Sequence, residues 1–302
     1  MGSREAFRRL SGQLSGEVRR DEPMSRHTTY RIGGPADLYV VCDTTADLKE
    51  TLAVLAEEHV PYAVVGKGSN LLVADAGYRG AVLTLGKEFK RHAAEGDHIR
   101  AGAACILAYL VQDAFNRGLA GLEFAVGIPG TLGGALAMNA GSSGEWMSGV
   151  VESVTVYSVE RGLERLHGNE VAWGYRRSDL PQRGIIVEGV LRAVRGDAER
   201  IRRVMETSLA RRKRTQPMGV ASAGSVFVNP PDESAGRLIE AAGLKGMRLG
   251  GARVSTVHGN FIVNEGGATA ADVVGLIDKI RMVVKGTYGI DLRTEIRFLG
   301  EF

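Results

Sequence analysis

Ser225, in the stretch ASAGSVFVNP (221–230), stands between a glycine and a Val-Phe-Val run that reads as a strand. A hydroxyl there can end a turn, attack as a nucleophile, or give up a proton. The nucleophile reading needs an oriented base, and neither a G-x-S-x-G elbow nor a Ser-His-Asp constellation can be assembled from this sequence. Arg176, in GYRRSDL (174–180), carries a planar fork suited to a carboxylate, yet beside Arg177 it also reads as an ordinary surface arginine. Glu295, in LRTEIRFLG (292–300), reads as a strand residue pointing opposite to Ile296, a carboxylate for chemistry or a partner for Arg293 or Arg297. No pair of histidines or cysteines has metal-ligand spacing, so no metal is expected, and His258 reads as structural.

Two glycine loops could bring backbone amides close to an anion. GKGSN (66–70) is neither a Walker A sequence nor a dinucleotide fingerprint, since Leu71 stands where a third glycine belongs. Alone it fits a plain turn as well as a phosphate site. GIPGTLGGALAMNAGSSG (127–144) is longer and turns at Pro129-Gly130, with a second close-approach point at Gly133-Gly134. Long glycine loops without structure of their own usually bind something, although an irregular connection between domains has the same composition.

The elements that must carry these residues alternate along the chain. Strands are expected at 37–41, 62–66, 81–85, 151–159 and 184–194, and helices at 46–59 and 103–118, the latter closed by Gly118. Beyond residue 195 come a helix over 197–214 started by Asp197, a short helix at 234–243, a strand at 260–264 and a final strand at 292–300. Between the last two, Thr269 and Asp272 form a capping-box start to a helix over 269–286. The mixture predicts an α+β protein with two lobes. The expected division is an N-terminal extension over 1–22, a region over 23–195 with subdomains 23–86 and 87–195, and a smaller domain over 196–302.

Bulk properties exclude several classes. With 302 residues, 44% apolar and 24% charged, the chain is an ordinary globular protein able to bury a core. A net charge of +3 is too small to argue for nucleic acid, though it tolerates anionic ligands. Cys42 and Cys105 form no CxxC pair, so a disulfide framework is not expected. Neither a signal peptide nor a membrane span is legible, and the expected location is cytoplasmic, as a monomer.

Taken together, TTYRIGGPADLYV (28–40), GKGSNLLVADAGYRG (66–80) and GIPGTLGGALAMNAGSSGE (127–145) resemble the flavin domain of the UDP-N-acetylenolpyruvoylglucosamine reductase family. The resemblance continues through GYRRSDL, ASAGSVFVNP, AGLKG (242–246), GGARVSTVHGNFIVN (250–264) and RTEIRFLG (293–300). The short spacing after Ser178 is similar to the subtype lacking a tyrosine-bearing insertion. The resemblance implies a PCMH/vanillyl-alcohol-oxidase-like FAD-binding region with non-covalent FAD, and a smaller α+β domain that binds a UDP-sugar. NADPH is the implied donor, in a reduction of UDP-N-acetylglucosamine enolpyruvate to UDP-N-acetylmuramate for peptidoglycan synthesis.

In that reaction hydride reaches the terminal enolpyruvyl carbon by way of FAD, and a proton must reach the adjacent carbon. The resemblance makes Ser225 the proton donor, Arg176 the cation for the carboxylate, and Glu295 a third catalytic group. It implies FAD contacts from Gly66, Lys67, Gly68, Ser69 and Asn70, and from Pro129, Gly130, Thr131, Gly133, Gly134, Asn139 and Gly141. Tyr175, Lys213 and Asn229 are the implied substrate contacts. Val228 and Thr256-Val257 depart from the family's usual residues. An FAD-dependent sugar or alcohol oxidase is one competing reading, and a non-catalytic nucleotide-sugar binder is another. The first often attaches FAD through a histidine, and neither glycine loop contains one. The second has no need of Ser225, Arg176 and Glu295 together.

Overall fold

The computed structural model describes residues 2–302. Packing separates the chain into two units that do not follow linear order. The first contains the stretch up to Arg20, Leu38–Gly66 and Gly80–Ala210, and the second contains Asp21–Asp37, Lys67–Arg79 and Arg211–Phe302. The early segments join the second unit because Tyr30, Ile32 and Leu72 bury in its core with residues such as Val226, Phe227 and Ile262. Removing such side chains from water is the main force available to hold distant segments together.

In the first unit a five-stranded antiparallel sheet runs in the order Gly162–His167, Val151–Ser158, Ile185–Arg192, His98–Gly102, His92–Glu95. A four-stranded sheet orders Val18–Pro23, Pro35–Cys42, Tyr78–Leu85 and Tyr62–Val64, and this unit takes in their residues 18–20, 38–42, 80–85 and 62–64. Tyr62–Val64 pairs in parallel with Ala81–Leu83. Helices α1 (Gly2–Leu10), α2 (Thr45–Glu57), α3 (Leu107–Asn116), α4 (Leu132–Ala137), α5 (Leu180–Arg183) and α6 (Ala198–Thr215, as far as Ala210) belong to this unit.

Local chemistry explains the helix ends. Thr44 and Asp47 close a capping box on α2, and Gly118 takes a left-handed φ of 67° just beyond α3. The expected helix over 103–118 starts four residues late. Residues 103–106 are instead tied to neighbouring chain, with Ala103 N–H donating to Val187 O and Ile106 bridging Thr131. The Asp197 start of α6 is present, its carboxylate accepting from Arg200 N–H at 2.7 Å.

The second unit contains α7 (Ala235–Ala241) and α8 (Ala270–Tyr288). The capping box expected at Thr269 and Asp272 is formed, and Asp75 accepts from the amides of Ala270 and Ala271 at 2.8 and 3.0 Å. Arg248–Leu249, Ala252–Val254 and Ile262–Asn264 make a three-stranded antiparallel sheet, and Leu71–Val73 pairs in parallel with Arg297–Leu299.

Two expected strands are corrected here. Val226–Val228 is extended chain with a single bridge, Phe227 to Thr294, and the final strand covers only Arg297–Leu299, so Glu295 precedes it. In both places isolated backbone bonds, supplemented by the side chains of Asn260 and Asn70, substitute for a regular ladder. Among the described residues, no helix is long and apolar enough to cross a membrane.

Candidate active site

In the first unit the long glycine loop folds around α4. Thr131 is its N-cap, and the next two amides are already engaged: Leu132 N–H donates to Cys105 O at 2.9 Å, and Gly133 N–H to Ala103 O at 2.8 Å. Gly133 is required by that approach, since a Cβ there would lie 2.9 Å from Ala103 Cβ. Gly66 faces the same helix start, where a Cβ would come to 2.6 Å from Thr131 Oγ1. Gly134 is different: it is exposed, and a Cβ would meet nothing nearer than Thr131 Oγ1 at 3.6 Å. Gly130 takes φ 130° at the turn after exposed Pro129. Bare, uncharged backbone of this kind fits a large anionic cofactor such as FAD, whose pyrophosphate needs close approach more than it needs charge.

Asn139 is buried and ties this loop to the turn that carries Arg176. Its side-chain amide donates to Gly174 O at 3.1 Å, and its oxygen accepts from Ser148 N–H at 2.9 Å. Ser178 completes the attachment, its hydroxyl donating toward the carbonyls of Leu136 and Ala137, each at 3.0 Å. Between these anchors Gly174 and Arg177 exchange backbone hydrogen bonds of 2.9 and 3.3 Å, leaving Tyr175 and Arg176 as the two central residues of a tight turn. Arg176 has φ 57°, a left-handed conformation that turns usually give to glycine. Its half-buried side chain donates from Nη1 to Gly141 O at 3.1 Å, and its Cζ lies 5.3 Å from the ring centroids of both Trp146 and Tyr175.

The second unit carries Ser225, Glu295 and the GKGSN loop after Gly66. Asn260 is buried and clamps Phe227 from both ends: its oxygen accepts from Phe227 N–H at 2.9 Å and its amide donates to Phe227 O at 2.8 Å. Val226 N–H donates to Asn260 O at 2.8 Å. On the other side Glu295 N–H donates to Val226 O at 2.7 Å, and Val228 N–H to Arg293 O at 2.9 Å. Ser225 and Glu295 are therefore set on adjoining backbone, both half-buried, with Gly224 at φ 77° turning the chain into Ser225.

The GKGSN loop reaches the same framework. Asn70 donates to Glu295 O at 3.2 Å and accepts from Arg297 N–H at 2.9 Å. Thr29 Oγ1 lies 3.3 Å from Gly68 O and 2.7 Å from Ser222 O, placing its hydroxyl between the GKGSN loop and the stretch before Ser225. Gly68 is buried at φ 60°, and a Cβ would overlap His27 O, so this position admits only glycine. Lys67 is exposed, and Ser69 is half-buried.

The remaining expected contacts are looser. Asn229 caps the approach to α7 by accepting from Ala235 N–H at 3.0 Å, while Lys213 is exposed in the last turn of α6. His258 accepts from Asn260 N–H through Nδ1 at 3.1 Å, and burial, with Lys245 nearby, lowers its pKa below the usual histidine value. That is a structural role. Val228 is half-buried and Val257 exposed. Among the described residues no cluster suited to a metal occurs. Trp146, Asn260 and Thr29 escaped the sequence reading. Gly141 was the one available signal for Trp146, since a Cβ at 141 would overlap its indole.

Family comparisons match both halves of this description. Residues 216–299 match the model for the UDP-N-acetylenolpyruvoylglucosamine reductase C-terminal domain, and residues 36–162 match an FAD binding domain. The UDP-N-acetylenolpyruvoylglucosamine reductase of Heliobacterium modesticaldum is 48% identical over 97% of this chain and 94% of its own length. This chain belongs to the UDP-N-acetylenolpyruvoylglucosamine reductase family. The family's reductase from Bacillus subtilis is 41% identical, with 98% of each chain covered. The crystal structure of the family's Thermus caldophilus enzyme superposes with a TM-score of 0.83 at 38% identity, covering 94% of this chain and 99% of that one. The family fold, with its FAD-binding domain and distinct C-terminal domain, is the one the family resemblance implied.

Proposed function

We infer that the protein is the FAD-dependent reductase of its family. It converts UDP-N-acetylglucosamine enolpyruvate to UDP-N-acetylmuramate in peptidoglycan precursor synthesis, with NADPH as electron donor. The region over 23–195 serves FAD and the domain over 196–302 serves the UDP-sugar. The observation that best supports this reading is the paired backbone of 226–228 and 293–295, which fixes Ser225 and Glu295 on one rigid framework.

Bound FAD supplies the two-electron couple that links NADPH to the sugar. The chain's own residues handle charge and protons. Hydride addition to the terminal CH₂ leaves an electron pair on the adjacent carbon, spreading into the carboxylate. The Arg176 guanidinium stabilises that charge as it grows. Ser225 Oγ then gives its proton to the carbon, which completes the lactyl ether, and the serine oxygen recovers a proton from solvent. A serine is a weak acid, but a carbanion is strongly basic, so the transfer is downhill once geometry is fixed. Glu295 polarises the acceptor side and balances cationic charge. Tyr175, Lys213 and Asn229 contribute to binding the UDP-sugar.

The test is an anaerobic titration of the holoenzyme followed by flavin absorbance. NADPH should bleach the oxidised band, and the enolpyruvyl UDP-sugar should restore it. Bleaching without recovery would move the assignment to an oxidase, with oxygen as the next acceptor. A folded preparation that does not bind FAD would end the flavoenzyme reading.

A further inference from the structure

We propose that Trp146 is a positioning residue for Arg176, fixing the plane of the guanidinium so that its fork meets a carboxylate squarely. The inference rests on the reading of Arg176 as the cation for the substrate carboxylate. It starts from an oddity of the turn: a long, charged side chain occupies a left-handed position, φ 57°, where glycine is the usual occupant. Backbone strain of that kind persists where surrounding contacts over-determine it. The turn itself, closed only by Gly174 and Arg177, does not set the direction of the arginine side chain.

Three contacts do. Trp146 and Tyr175 meet edge to face, with centroids 5.4 Å apart and planes at 84°, and Arg176 Cζ lies 5.3 Å from each ring. The negative faces of such rings attract a guanidinium. Gly141 O holds Nη1 at 3.1 Å. Tyr175 is 45% exposed and lies in the turn itself, so it moves with Arg176. Trp146 is anchored independently: Gly141–Ser142 pairs with Glu145–Trp146, and the next residue, Met147, is fully buried and donates to Ala140 O at 2.9 Å. Gly141 serves both purposes, offering the carbonyl that takes Nη1 and lacking the Cβ that would displace the indole. The fixed wall of the cage is Trp146. Planar, two-point recognition of a carboxylate demands this kind of orientation, because a rotated fork keeps its charge and loses one hydrogen bond.

The experiment pre-reduces the holoenzyme with NADPH and follows reoxidation by the enolpyruvyl UDP-sugar in a stopped-flow instrument. Trp146→Leu should slow reoxidation about 5- to 30-fold. Flavin content and bleaching by NADPH should stay unchanged. Trp146→Phe, which keeps a ring, should stay within about threefold of the parent. In an Arg176→Ala background, Trp146→Leu should cost nothing more, since its effect passes through the missing guanidinium. An equal slowing in both backgrounds would make Trp146 merely structural, and parent-like reoxidation by Trp146→Leu would overturn the proposal. Arg176→Ala reoxidising like the parent would instead sink the role of Arg176 itself. A second readout does not depend on turnover or on the leucine variant folding. The chain has two tryptophans, so Trp173→Phe leaves Trp146 as the sole tryptophan, excited selectively at 295 nm and read at tryptophan wavelengths. Adding Arg176→Ala there should shift its emission, and an unmoved spectrum would show that ring and guanidinium do not interact.

Discussion

Around Arg176 what is held is a side chain, reaching from a left-handed turn position to two rings and the main-chain carbonyl of Gly141. Around Ser225 and Glu295 what is held is main chain, with the backbone of 226–228 bonded on one side by Asn260, mostly through its side chain, and on the other by the backbone of 293–295. The two arrangements fail in different ways. A side-chain cage can lose its geometry while the fold stays intact, so damage there should appear in rate. A backbone framework shares its hydrogen bonds with the core, so damage there should appear first in stability.

The largest expected effect breaks the comparison on purpose by removing chemistry while leaving the framework. Ser225→Ala should cost about 10²- to 10⁴-fold in turnover, with little change in thermal stability and with flavin bleaching by NADPH preserved. Turnover at the parent rate would exclude Ser225 as the proton donor. Next comes Asn260→Ala, which leaves Phe227 N–H and O buried without their partner. Denaturant unfolding should show a loss of about 2–4 kcal/mol. An unchanged midpoint would mean that the clamp does not hold the framework. Gly141→Ala works in the other region: its Cβ would press on both the Trp146 indole and Glu145 O, and it should slow flavin reoxidation by the sugar about tenfold, with a stability loss smaller than that of Asn260→Ala. If stability falls steeply and rate does not, the two regions do not differ as described.

The smallest effect concerns His258, which joins the framework through Asn260 N–H and is held neutral by burial, with Lys245 nearby. Its folded pKa lies below the unfolded one, so below the ordinary histidine range the unfolded chain takes up a proton that the folded chain resists. The stability it contributes is complete above that range and is lost as pH falls through the folded pKa. His258→Asn keeps an acceptor near the Nδ1 position and removes the titration. Thermal midpoints at pH 7.5 and 5.5 should therefore differ more in the parent than in the variant. Equal differences would show that His258 is not responsible.

The same contrast explains what could be read in advance. Features built from local backbone chemistry were legible: the Thr269–Asp272 cap, the Asp197 start of α6 and the left-handed Gly118 all sit where turn and cap rules place them. The flavin fold was legible only through the family resemblance carried by many motifs together, since either glycine loop alone fits other readings. The Val226–Val228 strand was misread, since an apolar run beside turn residues has the same pattern whether a ladder or an asparagine side chain satisfies it. The aromatic cage left almost no trace. Trp146 lies 30 positions before Arg176, in a two-residue strand too short for any periodicity to relate the two side chains.

The second unit also dictates an order of assembly. Its parallel pair joins Leu71–Val73 to Arg297–Leu299, and Tyr30 caps its core by donating to Ile262 O at 3.0 Å. During synthesis on the ribosome, Tyr30 and Leu72 emerge long before the residues that cover them. The stretches of the first unit are all present once Ala210 has been made, whereas the framework of Ser225 and Glu295 can close only when the last strand has been synthesised. Long-range pairing of this kind is slow to form. Until then the segment bearing Tyr30 and Ile32 waits for its partners, so the unit that carries Ser225 and Glu295 should be the last part of the nascent chain to gain protease resistance.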